Sequence, residues 1–465
     1  MHNQENIIAL ATPSGIGAIG VIRISGPDAI ALVVPYFKSI KEKHLIKQKS
    51  HTIHLGHIIE NDKVLDEVLI SIFKAPNSYT GENVVEISCH GSSYIQQQII
   101  QLFLRNGCRT AEAGEFTLRA FLNGKLDLTQ AEAVADLIAS DNETSHQIAM
   151  QQMRGGFSNE IKTLRDELLN FASLIELELD FSEEDVEFAN RNQFKDLLHR
   201  IKNVLKKLID SFAVGNVIKN GIPVVIVGEP NVGKSTLLNT LLNEDRAIVS
   251  EIAGTTRDTI EDEISINGIS FRFIDTAGIR ETEDKVEGIG IRKTFEKITQ
   301  AQVVLYLVDG YALFTPINNI EVLKFKIEKI KKKYPEKSLV VLVNKKDMLS
   351  REQLVVLEEE LLGAPLLSAK THEGVENLKN LLLDFINTGA LRNNETIVAN
   401  TRHYNSLTKA LEEVEKVNYG MINNLPSDLI AIDIRESLYH LGEITGQVTN
   451  DELLGNIFSN FCIGK

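Results

Sequence analysis

Apolar and polar positions along this chain change period several times. Short apolar runs bounded by glycine and polar clusters come first: Ile7 to Ala11, Gly20 to Ser25, Val68 to Phe73 and Val84 to Ser88 read as strands, and Ser93 to Leu104 as a helix. Together they predict an α+β domain over residues 1–120. From 121 to 214 the period is helical. Ile161, Leu164, Leu168, Phe171, Leu174, Ile175 and Leu179 follow one stripe. Phe194, Leu197, Leu198, Ile201, Leu205, Leu208, Ile209 and Phe212 follow another, with the acidic break Phe181 to Phe188 between them. Residues 215–386 then return to an α/β pattern, with apolar strands at Pro223 to Val227, Ile269 to Ile274, Leu339 to Val343 and Pro365 to Leu367. Helical stripes resume over 387–465: Leu407, Leu411, Val414, Val417 and Met421, then Leu429, Ile432, Leu438, Leu441 and Ile444, then Leu453, Leu454, Ile457, Phe458 and Phe461. Amphipathic helices of this length must bury their stripes. The economical arrangement is one helical domain built from 121–214 and 387–465, with the α/β segment inserted.

A chain of 465 residues, 24% charged and 43% hydrophobic, is expected to fold as two to four globular domains. No apolar run approaches the roughly 20 residues that span a bilayer, and the N-terminal stretch lacks a signal-peptide core. Cys89, Cys108 and Cys462 are scattered and form no C-x-x-C, so a reducing cytoplasm is expected, without disulfides or zinc. The net charge of −15 argues against coating nucleic acid by electrostatics alone; an RNA substrate needs a local basic patch or a partner. Lys324 to Lys337 carries seven lysines, which read as a solvated helix face.

The chemistry concentrates in the α/β segment. Gly228-Glu229-Pro230-Asn231-Val232-Gly233-Lys234-Ser235 fits G-x-x-x-x-G-K-[ST] between a strand and a helix beginning near Thr236. Such a loop aims backbone N–H groups at phosphates, with the helix dipole behind them. Lys234 would reach the β- and γ-phosphates, and the Ser235 hydroxyl would ligate Mg²⁺. Asp275-Thr276-Ala277-Gly278 follows a strand where a metal-side aspartate and a γ-phosphate-sensing glycine are needed. Asn344-Lys345-Lys346-Asp347 matches N-K-x-D, whose aspartate accepts from guanine N1–H and the 2-amino group. Adenine offers neither donor, so this segment selects GTP. Ser368-Ala369-Lys370 matches the loop behind the base. Order and spacing predict an inserted Ras-like P-loop G domain. By contrast Gly15 to Gly20 spells G-x-G-x-x-G but runs into the β-rich Val21 to Ser25, where a dinucleotide fingerprint must open a helix, so no NAD site is expected.

Two segments outside the G domain carry a further signature: Gly114 to Leu128 (GEFTLRAFLNGKLDL), continued by Gln130 to Asp136, and the terminal Phe461-Cys462-Ile463-Gly464-Lys465. With the inserted G domain they closely resemble the MnmE (TrmE) family of tRNA modification GTPases, over essentially the whole chain. The resemblance implies an N-terminal domain similar to folate-dependent aminomethyltransferases, which binds 5-formyl- or 5,10-methylene-tetrahydrofolate and mediates homodimerisation. It implies a flavoprotein partner, MnmG (GidA), carrying FAD and forming a heterotetramer. The pair would install aminomethyl or carboxymethylaminomethyl groups on C5 of the tRNA wobble uridine, U34. The folate contacts of the family match Arg23, Glu82, Lys125 and Lys465 here. A carboxylate suits a pterin edge and cations suit a glutamate tail.

Ile279 stands where Ras-like enzymes place the glutamine that orients water, so another device is needed. The resemblance assigns it to Glu287, acting through a bridging water. No arginine finger is evident. By the same match, Ser250, Glu251, Ile252, Ala253, Gly254, Thr255, Thr256, Arg257 and Asp258 resemble switch I, the first seven as nucleotide contacts, with K⁺ held by Asn231, Ser250, Ile252 and Thr255, and Mg²⁺ by Ser235 and Thr256. Remaining nucleotide contacts fall on Val232, Gly233, Lys234, Thr236, Asp275, Thr276, Ala277, Gly278, Asn344, Lys345, Asp347, Ser368, Ala369 and Lys370. Cys462 is implied in modification and not in GTP hydrolysis. The departures are Ser92 for a common glycine and Ser250 for a frequent threonine. Two other readings share these motifs: a ribosome-assembly switch without covalent RNA chemistry, and a folate-dependent aminomethyltransferase merely regulated by GTP. Neither the folate-like domain nor the C-terminal motif is needed by the first.

Overall fold

The computed structural model describes residues 5–180, 191–245, 262–274, 298–315, 319–384, 396–459 and 461–464. The chain divides into two compact units, one of Met1–Ile138, Ala149–Asn203 and Ser406–Lys465, the other of Ala139–Ile148 and Val204–Asn405.

The first unit holds a seven-stranded sheet. In chain order its strands are β1 Asn6–Leu10, β2 Ile19–Gly26, β3 Phe37–Ser39, β4 Thr52–Glu60, β5 Lys63–Phe73, β6 Asn83–His90 and β7 Cys108–Thr110. Their spatial order is β3-β4-β5-β6-β2-β1-β7. All neighbours are antiparallel except β1 and β7. Ile22, Ile24, Ile70, Ile72, Val85 and Ile87 bury one face beneath the helix Ser93–Arg105, through Ile99, Leu102 and Phe103. The four strands expected from apolar runs are present; three differ at their ends by one or two residues, while β5 ends at Phe73 as expected but begins at Lys63, five residues before Val68. β4 was illegible because its alternation is inverted: His54 and Gly56 face inward while Ile53 and Leu55 are 66% and 44% exposed.

Helices complete this unit. Gly156–Asp180 packs along Ser427–Thr445, where Arg435 meets Glu176 at 2.8 Å. Phe171 stacks on Phe194 with ring centroids 4.9 Å apart. Leu429 and Ile432, expected inside, are 48% and 52% exposed. The buried stripe instead runs through Ile430, Ile434, Leu438, Leu441 and Ile444, because helical spacing shifts the face by one residue. The helix Asp451–Ser459 brings Phe458 onto Leu128 and Ala131.

The second unit holds a five-stranded sheet of β8 Ile222–Val227, β9 Asp262–Ile266, β10 Ile269–Phe273, β11 Val303–Asp309 and β12 Ser338–Asn344, in the order β12-β11-β8-β10-β9. Only β9 runs antiparallel to its neighbour. β8 reads as a continuous apolar run because a central parallel strand is covered on both faces. β10 and β11 lie on opposite sides of β8, so the loop after β8 sits at a topological switch point, where ligands bind beyond the strand ends. Among the described residues, no helix is long and apolar enough to cross a membrane.

Candidate functional site

The loop after β8 passes into the helix Lys234–Asp245, with Asn231 and Gly233 at φ +63° and +101°. A side chain at Gly233 would collide with the Asn344 amide, so the loop needs glycine for conformation and space alike. Leu237 N–H donates to the Gly233 carbonyl at 2.9 Å, which starts the helix. Lys234 Nζ donates to the Gly228 and Glu229 carbonyls at 3.0 and 2.8 Å. Its ammonium therefore sits over the loop that phosphate oxygens would fill. Val232 is buried, Ser235 half-buried and Thr236 exposed.

Asn344 ends β12 and is 3% exposed. Its Nδ2 donates to the Val232 carbonyl at 2.8 Å, and its Oδ1 accepts the Ala369 N–H at 2.9 Å. One side chain thus ties the phosphate loop to the segment behind the base. Ser368 Oγ donates to Asp347 Oδ1 at 2.6 Å and accepts Thr371 N–H at 3.2 Å, which aims the aspartate. Lys345, at φ +65°, reaches Asp309 Oδ2 at 2.7 Å. Lys370 is exposed. Sequence reasoning missed Asp309, which ends β11 and whose Oδ1 also accepts the Tyr311 and Ala312 N–H groups. A lone strand-end aspartate carries no pattern. It likewise missed Thr240, whose hydroxyl donates to the Ala369 carbonyl at 2.8 Å.

Asn231, Val232, Gly233, Lys234, Ser235, Thr236, Asn344, Lys345, Asp347, Ser368, Ala369 and Lys370 are accordingly gathered at the carboxyl edge of one sheet. Ser250, Glu251, Ile252, Ala253, Gly254, Thr255 and Thr256 lie outside the described residues, as do Asp275, Thr276, Ala277, Gly278, Glu287 and Lys465.

In the first unit Arg23, on β2, pairs with Glu86 at 2.9 Å and lies 5.5 Å from the ring centroids of both Tyr79 and Phe116. Its NH1 donates to the Gly464 carbonyl at 3.3 Å. The terminal segment is docked by an antiparallel bridge between Ala113 and Ile463. Gly464, at φ +100°, sits so close to the Leu10 carbonyl that a Cβ would clash with it. Cys462 is exposed, while its carbonyl accepts Gly114 N–H at 3.4 Å. Glu82 accepts Ser25 Oγ at 2.7 Å and Arg119 NH1 at 3.0 Å. Ser25 and Arg23 share one face of β2, two residues apart. Lys125 is exposed, with its stem beside Gly81. Arg23, Glu82, Lys125 and the C-terminal segment thus border one region, whose paired cations and carboxylate suit a ligand with an anionic tail and an N–H edge.

Glu115 and Arg119, inside the 114–128 signature, are buried. Burial alone would raise the Glu115 pKa, but hydrogen bonds from Arg109, the Glu112 N–H and Arg119 outweigh it and hold it at about 2.

The family model for the MnmE helical domain matches residues 128–462, and that for the GTP-binding protein TrmE N-terminus matches residues 6–125. Among curated relatives, the tRNA modification GTPase MnmE of Flavobacterium johnsoniae is 72% identical, with both chains covered completely. That of Flavobacterium psychrophilum is 71% identical, again over 100% of both chains, and that of Christiangramia forsetii is 65% identical with the same coverage. With the phosphate loop, the N-K-x-D corner and the docked C-terminal motif in one chain, this protein belongs to the MnmE (TrmE) family.

Proposed function

We propose that this chain is a K⁺-activated GTPase that, with the flavoprotein partner MnmG (GidA), modifies C5 of the wobble uridine U34 in tRNA to aminomethyl or carboxymethylaminomethyl forms. The observation that carries the GTPase part is Asn344, whose amide joins the Val232 carbonyl to the Ala369 N–H and so assembles the phosphate loop and the base corner into one nucleotide site. In this reading residues 1–120 bind tetrahydrofolate and dimerise, 215–386 form the G domain, and 121–214 with 387–465 form the helical domain.

The loop's N–H groups hold the phosphates, and Lys234 exchanges the Gly228 and Glu229 carbonyls for phosphate oxygens. Asp347, aimed by Ser368, accepts the guanine N–H donors. Glu287 orients the attacking water through a bridging water. Ser235 and Thr256 would hold Mg²⁺, and Asn231, Ser250, Ile252 and Thr255 would hold K⁺, which when bound would supply positive charge against that developing on the phosphates. In the first unit Arg23, Glu82, Lys125 and Lys465 hold the folate, which supplies the one-carbon unit when bound. Cys462 serves the modification and not the hydrolysis. FAD belongs to the partner, and the setting is the cytoplasm.

The test is mass spectrometry of nucleosides from bulk tRNA of cells lacking the protein, complemented with wild type or Cys462→Ser, alongside GTP hydrolysis in KCl and NaCl. Modified wobble uridine restored by wild type alone, with both proteins hydrolysing GTP much faster in KCl, is expected. Unchanged tRNA in the deletion strain would favour a ribosome-assembly switch, and equal rates in the two salts would remove the potassium assignment.

A further inference from the structure

We infer that Arg119 is the positioning residue of the folate site: its buried guanidinium fixes the Glu82 carboxylate in the orientation that meets the ligand's N–H edge. The inference rests on the reading of Glu82 as a folate contact.

Arg119 lies on the helix Glu115–Leu122 with its side chain 2% exposed. A cation taken out of water to this extent is tolerated only when carboxylates and carbonyls satisfy it. NH1 donates to both Glu82 oxygens, at 3.1 and 3.0 Å, and to the Glu5 carbonyl at 2.9 Å. Nε and NH2 donate to Glu115 Oε1 at 3.3 and 2.9 Å.

The two carboxylates are not equivalent partners. Glu115 has its own cation, since Arg109 donates to its two oxygens at 2.8 and 2.6 Å, and the Glu112 N–H adds a bond at 2.9 Å. Glu115 therefore works as a fixed stop, one helical turn before Arg119, that aims the guanidinium. Glu82 receives Arg119 and, at 2.7 Å, the hydroxyl of Ser25, which is itself tied to Thr80 Oγ1 at 2.7 Å. Oε2 takes two of these bonds and Oε1 one, which leaves acceptor capacity on Oε1 for a ligand donor. A carboxylate locked this way needs no reorganisation when the ligand arrives. The arrangement also accounts for part of the 114–128 signature: Glu115 and Arg119 form the clamp, and the buried Thr117 hydroxyl bonds Tyr79 OH at 2.8 Å, whose ring flanks Arg23.

The experiment is titration calorimetry on the full-length protein with two probes: 5-formyltetrahydrofolate, and p-aminobenzoylglutamate, which keeps the tail and lacks the pterin. Arg119→Met is expected to weaken the first by at least about tenfold, the scale for truncating one partner of a buried charge pair, and to leave the second within about twofold. Arg119→Lys keeps the cation without the fork and should fall between. Should Arg119→Met not fold, the charge-balanced Arg119→Met/Glu82→Gln replaces it and should show the same selective loss as Glu82→Gln alone. Equal weakening of both probes, or no weakening of either, overturns the positioning role. Wild-type protein that binds neither probe overturns the folate reading itself, a result separable from the first.

Discussion

Asp309 and Lys345 show how one residue outside any motif can set another inside one. The Asp309 carboxylate is held by two backbone N–H groups and in turn holds the Lys345 ammonium at 2.7 Å, which fixes the lysine stem beside the Asn344 corner. Asp309→Ala should weaken GDP by about tenfold, in line with couplings of about 0.5–3 kcal/mol between contacting residues. In a Lys345→Met background the same substitution should cost almost nothing. A fluorescent-nucleotide titration of the four proteins measures this, and an Asp309 effect that persists without Lys345 would point to backbone disruption instead. Glu115 gives a residue-scale pH dependence. Its folded pKa of about 2 lies below the ordinary glutamate value of 4.5, so its contribution to stability is complete above pH 4.5 and is lost as pH falls toward 2. Denaturant melts of Glu115→Gln should be flatter than wild type across that window, and parallel curves would refute the assignment.

At the scale of elements, the C-terminal segment behaves as a strand-like strap. It rests on the bridge between Ala113 and Ile463, on the close approach of Gly464 to Leu10, and on the bond from Arg23. Gly464→Val meets both objections at once, a positive φ and a blocked Cβ, and should lift the strap from the sheet. Folate binding and tRNA modification should fall while GTP hydrolysis stays within about twofold, since the nucleotide site is built within the other compact unit. Loss of both activities in parallel assays would mean a wider structural role. This strap is also where legibility in the sequence ends. Phe461 to Lys465 stands out as a pattern, yet the docking of Ile463 depends on a bridge to Ala113, more than 300 positions away. The same limit hid β4, whose inward residues include a histidine and a glycine and so invert the hydrophobic signal.

At the scale of the whole molecule, all three cysteines fall in the first compact unit, with Cys89 and Cys108 buried and Cys462 exposed. Burial pushes the Cys89 thiol up to about 11, with the nearby Asp66 charge adding to it, and pushes Cys108 up to about 12. The thiolate is the reactive form, so both are inert near neutral pH. Iodoacetamide should modify Cys462 alone in the native protein and all three cysteines after denaturation, as intact-mass spectrometry would read. Native labelling of Cys89 or Cys108 would contradict the buried placement. The phosphate loop, the N-K-x-D corner and the α/β pattern around them were legible in the sequence because backbone–phosphate and guanine recognition require particular residue types at short, fixed spacings. The periods of the helical stripes were equally local. Tertiary structure alone decided that Asn344 spans the two halves of the nucleotide site, that Asp309 holds Lys345, and that Arg119 is buried against Glu82. Those contacts join residues 25 or more positions apart. Their energies depend on desolvation and on which charges face each other across packed elements, and neither quantity exists until the chain has folded.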